Sequence, residues 1–286
     1  MPLPALALVL LAACTHAVWN LSAKRAAGCR HFVFLYSALS ILLYLPVVTW
    51  ILWCSRPELT PLHRLARLAT GVLHLGYSLS LQAGYRASDL SLVYPVARGT
   101  GPLLSFFLAI LLLDESAGPH ALAGVLLVVA GITLVSGLLE RRHKNLRRGM
   151  FWGLCTGSCI AAYTITDGWA VSVLLMSPFL VDYAGNLFRV IVLAPGVWRD
   201  RATAAADARS YLRHYATVSV LGPLGYILVL YAMQMAPVSL VAPARELSTL
   251  VGTLLGVVLL RERVTPARLL GVICIVSGVI SLTLSA

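Results

Sequence analysis

The chain has 286 residues, of which 59% are hydrophobic and only 12% charged, and its mean hydropathy is +0.86. That balance excludes a water-soluble domain. The net charge of +11 does not point to nucleic acid either, because most of the cations lie in short joints between apolar runs, where they set membrane orientation.

A helix crosses the hydrocarbon with roughly 20 apolar residues. Ten such stretches follow one another, at approximately 3–22, 32–54, 67–86, 90–113, 119–138, 149–171, 176–198, 214–235, 238–260 and 266–284. Lipid leaves only helices and closed barrels as spanning structures, and runs this uniformly apolar lack the alternation of barrel strands. The expected fold is therefore all-α integral membrane, with ten transmembrane helices. The longest joint, about 199–213, is too short to hold a soluble catalytic domain.

Span 1 contains Leu11-Ala12-Ala13-Cys14, which resembles a lipoprotein cleavage box, but no Lys or Arg precedes Lys24. It is expected as a retained helix rather than a signal, with His16, Trp19 and Asn20 on one face. Span 3 brings Tyr77 and Tyr85, and span 4 brings Tyr94, Pro95 and Arg98. Span 6 places Tyr163, Thr166 and Asp167 on one face, and span 7 does the same with Asp182, Gly185, Asn186 and Arg189. Tyr226 lies in span 8, and Pro243, Arg245 and Glu246 in span 9. Glu115 and Glu262 occupy short turns ahead of Pro119 and Pro266, where a carboxylate is expected to cap the start of the next helix. Gly153 with Gly157, and Gly252 with Gly256, are spaced to let helices approach closely, as are Gly124, Gly131, Gly271 and Gly278. The cysteines at 14, 29, 54, 155, 159 and 274 have no metal-site spacing and are expected to serve as small packing residues.

At an offset near 147 the second half repeats the first. Ser91-Leu92-Val93-Tyr94-Pro95-Val96-Ala97-Arg98 matches Ser239-Leu240-Val241-Ala242-Pro243-Ala244-Arg245 after one gap. The same steps then lead from Arg98 to Glu115, Pro119, Gly124 and Gly131, and from Arg245 to Glu262, Pro266, Gly271 and Gly278. Gly76-Tyr77 aligns with Gly225-Tyr226, and Trp19 with Tyr163. The expected organisation is a first five-helix repeat at 1–139, a basic linker at 140–148 and a second repeat at 149–286. Five spans per copy send the second copy into the membrane from the opposite side, so the repeats are inverted, an architecture that in secondary transporters surrounds a midplane site reached by alternating access. Sixteen of the 22 Lys and Arg fall in the odd-numbered joints and three in the even-numbered ones, which by itself puts the odd joints in the cytoplasm and both termini outside.

The paired pattern of a Pro-interrupted fourth span, an apolar run ending in Asp114-Glu115 or Arg261-Glu262-Arg263, then a Pro and a Gly-spaced fifth span, resembles the EamA-type members of the drug/metabolite transporter superfamily. The resemblance covers essentially the whole chain. It implies a carrier of the bacterial inner membrane that exports amino acids, metabolites or drugs. Many members keep both termini in the cytoplasm, opposite to the charge count here.

Ionisable groups at bilayer depth are costly and mark a pathway or pair internally. Arg98 and Arg245 are the leading substrate contacts, since a guanidinium suits carboxylate, phosphate or phosphonate, and the cargo is expected to be zwitterionic or anionic. Glu246 would receive an ammonium or carry a coupling proton, and Asp182 and Asp167 are further coupling candidates. Asn186, Arg189, Asp167, His16, Asn20 and the aromatics Trp19, Tyr77, Tyr94, Tyr163 and Tyr226 are expected to wall the pocket, the alternative for each being helix locking, packing or interface anchoring. Expected partners are a small solute, membrane lipid and protons, with no nucleic acid, no cofactor, and either a monomer or a homodimer. A flippase of lipid or lipid-linked sugar would share the fold. An intramembrane enzyme is disfavoured by the absence of HExxH, GxSxG or clustered histidines, and the absence of a P-loop excludes ATP as the driving force.

Overall fold

The computed structural model of the chain describes residues 1–26, 28–55, 60–138, 145–251 and 265–285. Among them are eleven α-helices: α1 (Leu3–Arg25), α2 (Phe32–Ser55), α3 (Pro61–Ala87), α4 (Leu90–Leu112), α5 (Pro119–Ser136), α6 (Leu146–Ser172), α7 (Pro178–Arg199), α8 (Arg201–Ser210), α9 (Leu212–Met235), α10 (Val238–Ala244) and α11 (Pro266–Leu284). Seven of them, α1, α2, α4, α5, α7, α9 and α11, carry segments long and apolar enough to cross a membrane. Two further expected spans are helical but more polar. α3 carries His63, Arg64, Arg67, His74, Gln82 and Arg86, and α6 carries Arg147, Arg148 and Asp167. The expected ninth span is seen only in part, because 252–264, with Gly252, Gly256 and Glu262, lies outside the described residues.

Three details differ from the sequence expectation. α3 starts six residues early, where Pro61 occupies the first turn and the Thr60 side chain accepts from the His63 amide. α6 starts at Leu146, inside the expected linker, after Asn145 in the left-handed region (φ 51°). The joint at 199–213 holds the short helix α8, which is rich in alanine.

The outside of the bundle is apolar and part of its inside is polar. Leu42, Trp50, Trp53, Leu111 and Leu112 are exposed, whereas Ser37, Thr70, Thr156, Asp167 and Glu246 are buried. In water this arrangement would cost burial free energy. In lipid it costs little, because the tails are as apolar as leucine and packing is carried by small residues and internal hydrogen bonds.

The packing repeats itself. α1 lies on α9 and its counterpart α6 on α3, while α2 pairs with α7 and α5 with α11. The last two are pairs of equivalent helices, and both run antiparallel. Gly124 meets Gly278 while Gly131 meets Gly271. Tyr36 meets Arg189 while Tyr44 meets Phe179. Antiparallel equivalents are what two oppositely directed five-helix copies require.

Glu115 is a correction to the sequence expectation. It does not cap the helix that follows it. Its two carboxylate oxygens accept from the amides of Val238 (2.6 Å) and Ser239 (2.8 Å) at the start of α10, so a residue of the first half caps a helix of the second. Negative charge there also complements the α10 dipole. Glu115→Ala is expected to lower stability by about 1–2 kcal/mol, read as a lower melting temperature in detergent, with Glu115→Gln falling between it and the parent.

Candidate functional site

Two short motifs bring charge into the middle of the bundle. In α4 the chain stays helical through Pro95, so Arg98 projects from an unbroken helix. In the second half α10 ends at Ala244, and helical structure resumes at 247–251. Between them the hydrogen bonds shorten by one residue: Glu246 donates to Pro243, Ser248 to Arg245 and Thr249 to Glu246. Pro243, which has no amide hydrogen and crowds the preceding turn, lies just ahead of this stretch. Tight turns of this kind inside a helix often mark functional sites.

Arg98 and Glu246 form a buried pair, with Nε 3.1 Å from Oε2. Arg98 Nη2 also donates to Ser248 Oγ at 2.8 Å, and its guanidinium lies 5.6 Å from the Tyr94 ring centre. Arg245 is 6% exposed and lies 6.0 Å from the Tyr163 ring centre. Polar capacity remains unused here: among the described residues, Arg245 Nε and Glu246 Oε1 have no hydrogen-bond partner. Buried polar atoms are seldom left that way without a reason. Thus the sequence-predicted Arg98, Arg245, Glu246, Tyr94 and Tyr163 come together. His16 is close enough to feel both arginines and packs edge-on against Trp19 at 4.6 Å. Asn20 is half-buried beside them on α1.

A second polar group adjoins the first. Asp167, wholly buried, accepts at Oδ2 from Tyr226 (2.5 Å) and faces His74 Nε2 at 2.9 Å. The His74 ring stacks on Tyr163 at 4.1 Å, and Tyr77 meets Tyr163 edge-on at 5.8 Å. Sequence reasoning misses His74. Its signal is the stripe Arg67, Thr70, His74, Tyr77 on one face of α3, four polar side chains at steps of three and four.

The span 7 residues form a third group. Asp182 and Arg189 do not touch. Asn186 bridges them, donating to Asp182 Oδ2 at 2.9 Å and accepting from Arg189 Nη2 at 3.0 Å. Arg189 also donates to the Tyr36 hydroxyl at 3.0 Å. Their hydrogen bonds are thus directed into a chain that ties α7 to α2.

At one end of the bundle Asp200 meets Arg30 and His31, each at 3.1 Å, and Asp207 accepts from the His31 amide. The Thr203 hydroxyl, the His31 ring and Arg30 hold the Asp200 carboxyl below its ordinary range. Burial, with Asp207 beside it, pushes the Cys29 thiol up to about 12. A cavity of about 210 Å³ opens beside this cluster, between α2, α3 and α7, and is separate from the paired arginines.

The model of the EamA-like transporter family matches the chain twice, over residues 3–137 and 147–284. A solved crystal structure of a protein superposes with a TM-score of 0.69 over 98% of this chain and 99% of the other, at 18% identity, a likeness in fold. No curated protein matches the sequence.

Proposed function

The chain belongs to the EamA-like transporter family, a multi-pass membrane transporter of the drug/metabolite superfamily built from two repeats, and from that premise we propose that it carries small zwitterionic or anionic solutes, such as amino acids, across the bacterial inner membrane. The carrying observation is that Arg98, from the first repeat, pairs with the buried Glu246 carboxylate of the second beside the buried Arg245, and that Arg245 Nε and Glu246 Oε1 have no hydrogen-bond partner among the described residues. A solute carboxylate suits the Arg245 guanidinium, and its ammonium suits Glu246 Oε1. Ten spans in inverted halves, with the boundary at 140–148, would expose these residues to each side in turn by rocking one half against the other. The halves meet where α1 packs on α9, α2 on α7, α3 and α4 on α6 and α5 on α11, and at the Glu115 cap. The cation-rich end faces the cytoplasm in this reading.

The test is a thermal-shift screen of the detergent-solubilised protein against amino acids, phosphonates, nucleotide sugars and organic cations. A ligand at about 100 times its Kd stabilises the folded state by about 2.7 kcal/mol, and at least one carboxylate-bearing compound is expected to do so. Stabilisation by organic cations alone would sink the reading.

A further inference from the structure

The chamber does not account for His74 and Asp167. Asp167 is wholly buried, with one oxygen shared by His74 and Tyr226 and the other, Oδ1, unpartnered among the described residues. From this carboxylate a chain of contacts runs through the His74 ring to Tyr163, and from Tyr163 to Arg245. There is also an approach from the cation-rich end. The cavity beside Asp200 is lined by Ser78 and Gln82 of α3, and the Ser78 hydroxyl donates to the His74 carbonyl one turn deeper. The repeat alignment sets Pro223 opposite His74 and Ala23 opposite Asp167, so the pair is not part of the scaffold that the two copies share.

We infer that His74 and Asp167 form a proton-carrying site that loads together with a solute of net negative charge, an inference that rests on the transport reading above. Unloaded, a neutral imidazole donates from Nε2 to the carboxylate, and the pair carries one negative charge. Loaded, it holds one more proton and is neutral. The groups facing it are Tyr77 on α3, Tyr163 on α6, Asp182 and Arg189 on α7, Tyr226 on α9, and Arg245 just after α10. Among the described residues closest to the two arginines and the pair, Arg98, Arg189 and Arg245 match Asp167, Asp182 and Glu246 in number, so with all six ionised this cluster carries no net charge. A proton alone, or a solute anion alone, would leave net charge in a low-dielectric interior, which is costly. Entering together, they cancel.

The experiment has two arms. Infrared difference spectra of the purified protein, stepped between about pH 5 and 9, register imidazole and carboxyl protonation. A signal lost in both Asp167→Asn and His74→Gln is expected, and its absence from the parent overturns the inference. The side-chain amide introduced by His74→Gln keeps a donor to Asp167 but cannot hold the extra proton, so a purely structural role would leave the parent spectrum unchanged in that variant. In the second arm, liposomes are given a labelled mixture of the twenty amino acids. Counterflow at equal pH tests the transport reading by itself. An alkaline interior, one pH unit above the outside, is expected to drive up to about tenfold accumulation of the anionic members, aspartate and glutamate, by the parent and none by either variant. Accumulation driven instead by an acidic interior would overturn joint loading. Failure of counterflow with a persisting infrared signal would defeat the transport reading and leave the proton site standing.

Discussion

Arg245→Ala is expected to cut solute flux at least about a hundredfold, the equivalent of about 3 kcal/mol for a desolvated charge pair, while the protein still folds. Arg98→Ala is expected to lose flux and stability together. Sequence symmetry treats the two arginines as equivalents, and the expectation from it alone is that either can be removed without harm to the fold. Their surroundings separate them. Arg98 faces Glu246 at 3.1 Å and bonds Ser248, so its removal strands a wholly buried carboxylate, at a cost of about 3–5 kcal/mol. Arg245 leans on the Tyr163 ring and has an idle Nε, so its removal strands less. Flux measured in liposomes, beside melting temperature in detergent, separates the two variants. Undiminished flux in Arg245→Ala would remove that residue from the site.

The duplication is legible because it is written in fixed steps, from Arg98 to Gly131 and from Arg245 to Gly278. Spans show as apolar runs, since lipid imposes a composition on the sequence itself. The facing of polar groups within one helix is equally legible, as with Asp182, Asn186 and Arg189, because helical periodicity is local. Contacts between distant segments are hidden. Nothing near Glu115 says that its partners are the amides of Val238 and Ser239, and nothing near His74 points to Asp167. The break at Arg245 is hidden for another reason. Pro95 and Pro243 occupy similar positions, yet only the second interrupts its helix, so the sequence alone does not fix which proline is absorbed as a bend.

Gly131→Val is expected to be among the most destabilising substitutions at the helix contacts. A Cβ on Gly131 would stand 2.6 Å from the Gly271 carbonyl oxygen and 2.9 Å from the Ile275 amide nitrogen, and a Cβ on Gly271 would stand 2.8 Å from the Gly131 oxygen. Gly124 and Gly278 repeat the arrangement two turns away, at 2.7 and 2.6 Å. These obstacles are backbone, not side-chain tips, so they cannot swing aside and the two helices must move apart. Overpacking of a core costs about 1–3 kcal/mol. Here the loss extends along the whole α5 and α11 contact, so the upper end or beyond is expected, with Gly131→Ala smaller but clearly measurable. Gly196→Ala is the control, because no atom lies within 4 Å of its added methyl and alanine favours the helix by up to about 1 kcal/mol. Comparable melting temperatures for Gly131→Val and Gly196→Ala would show that α5 and α11 are not in backbone contact. The antiparallel pairing of the two repeats, which rests most directly on that contact, would then lose its main support.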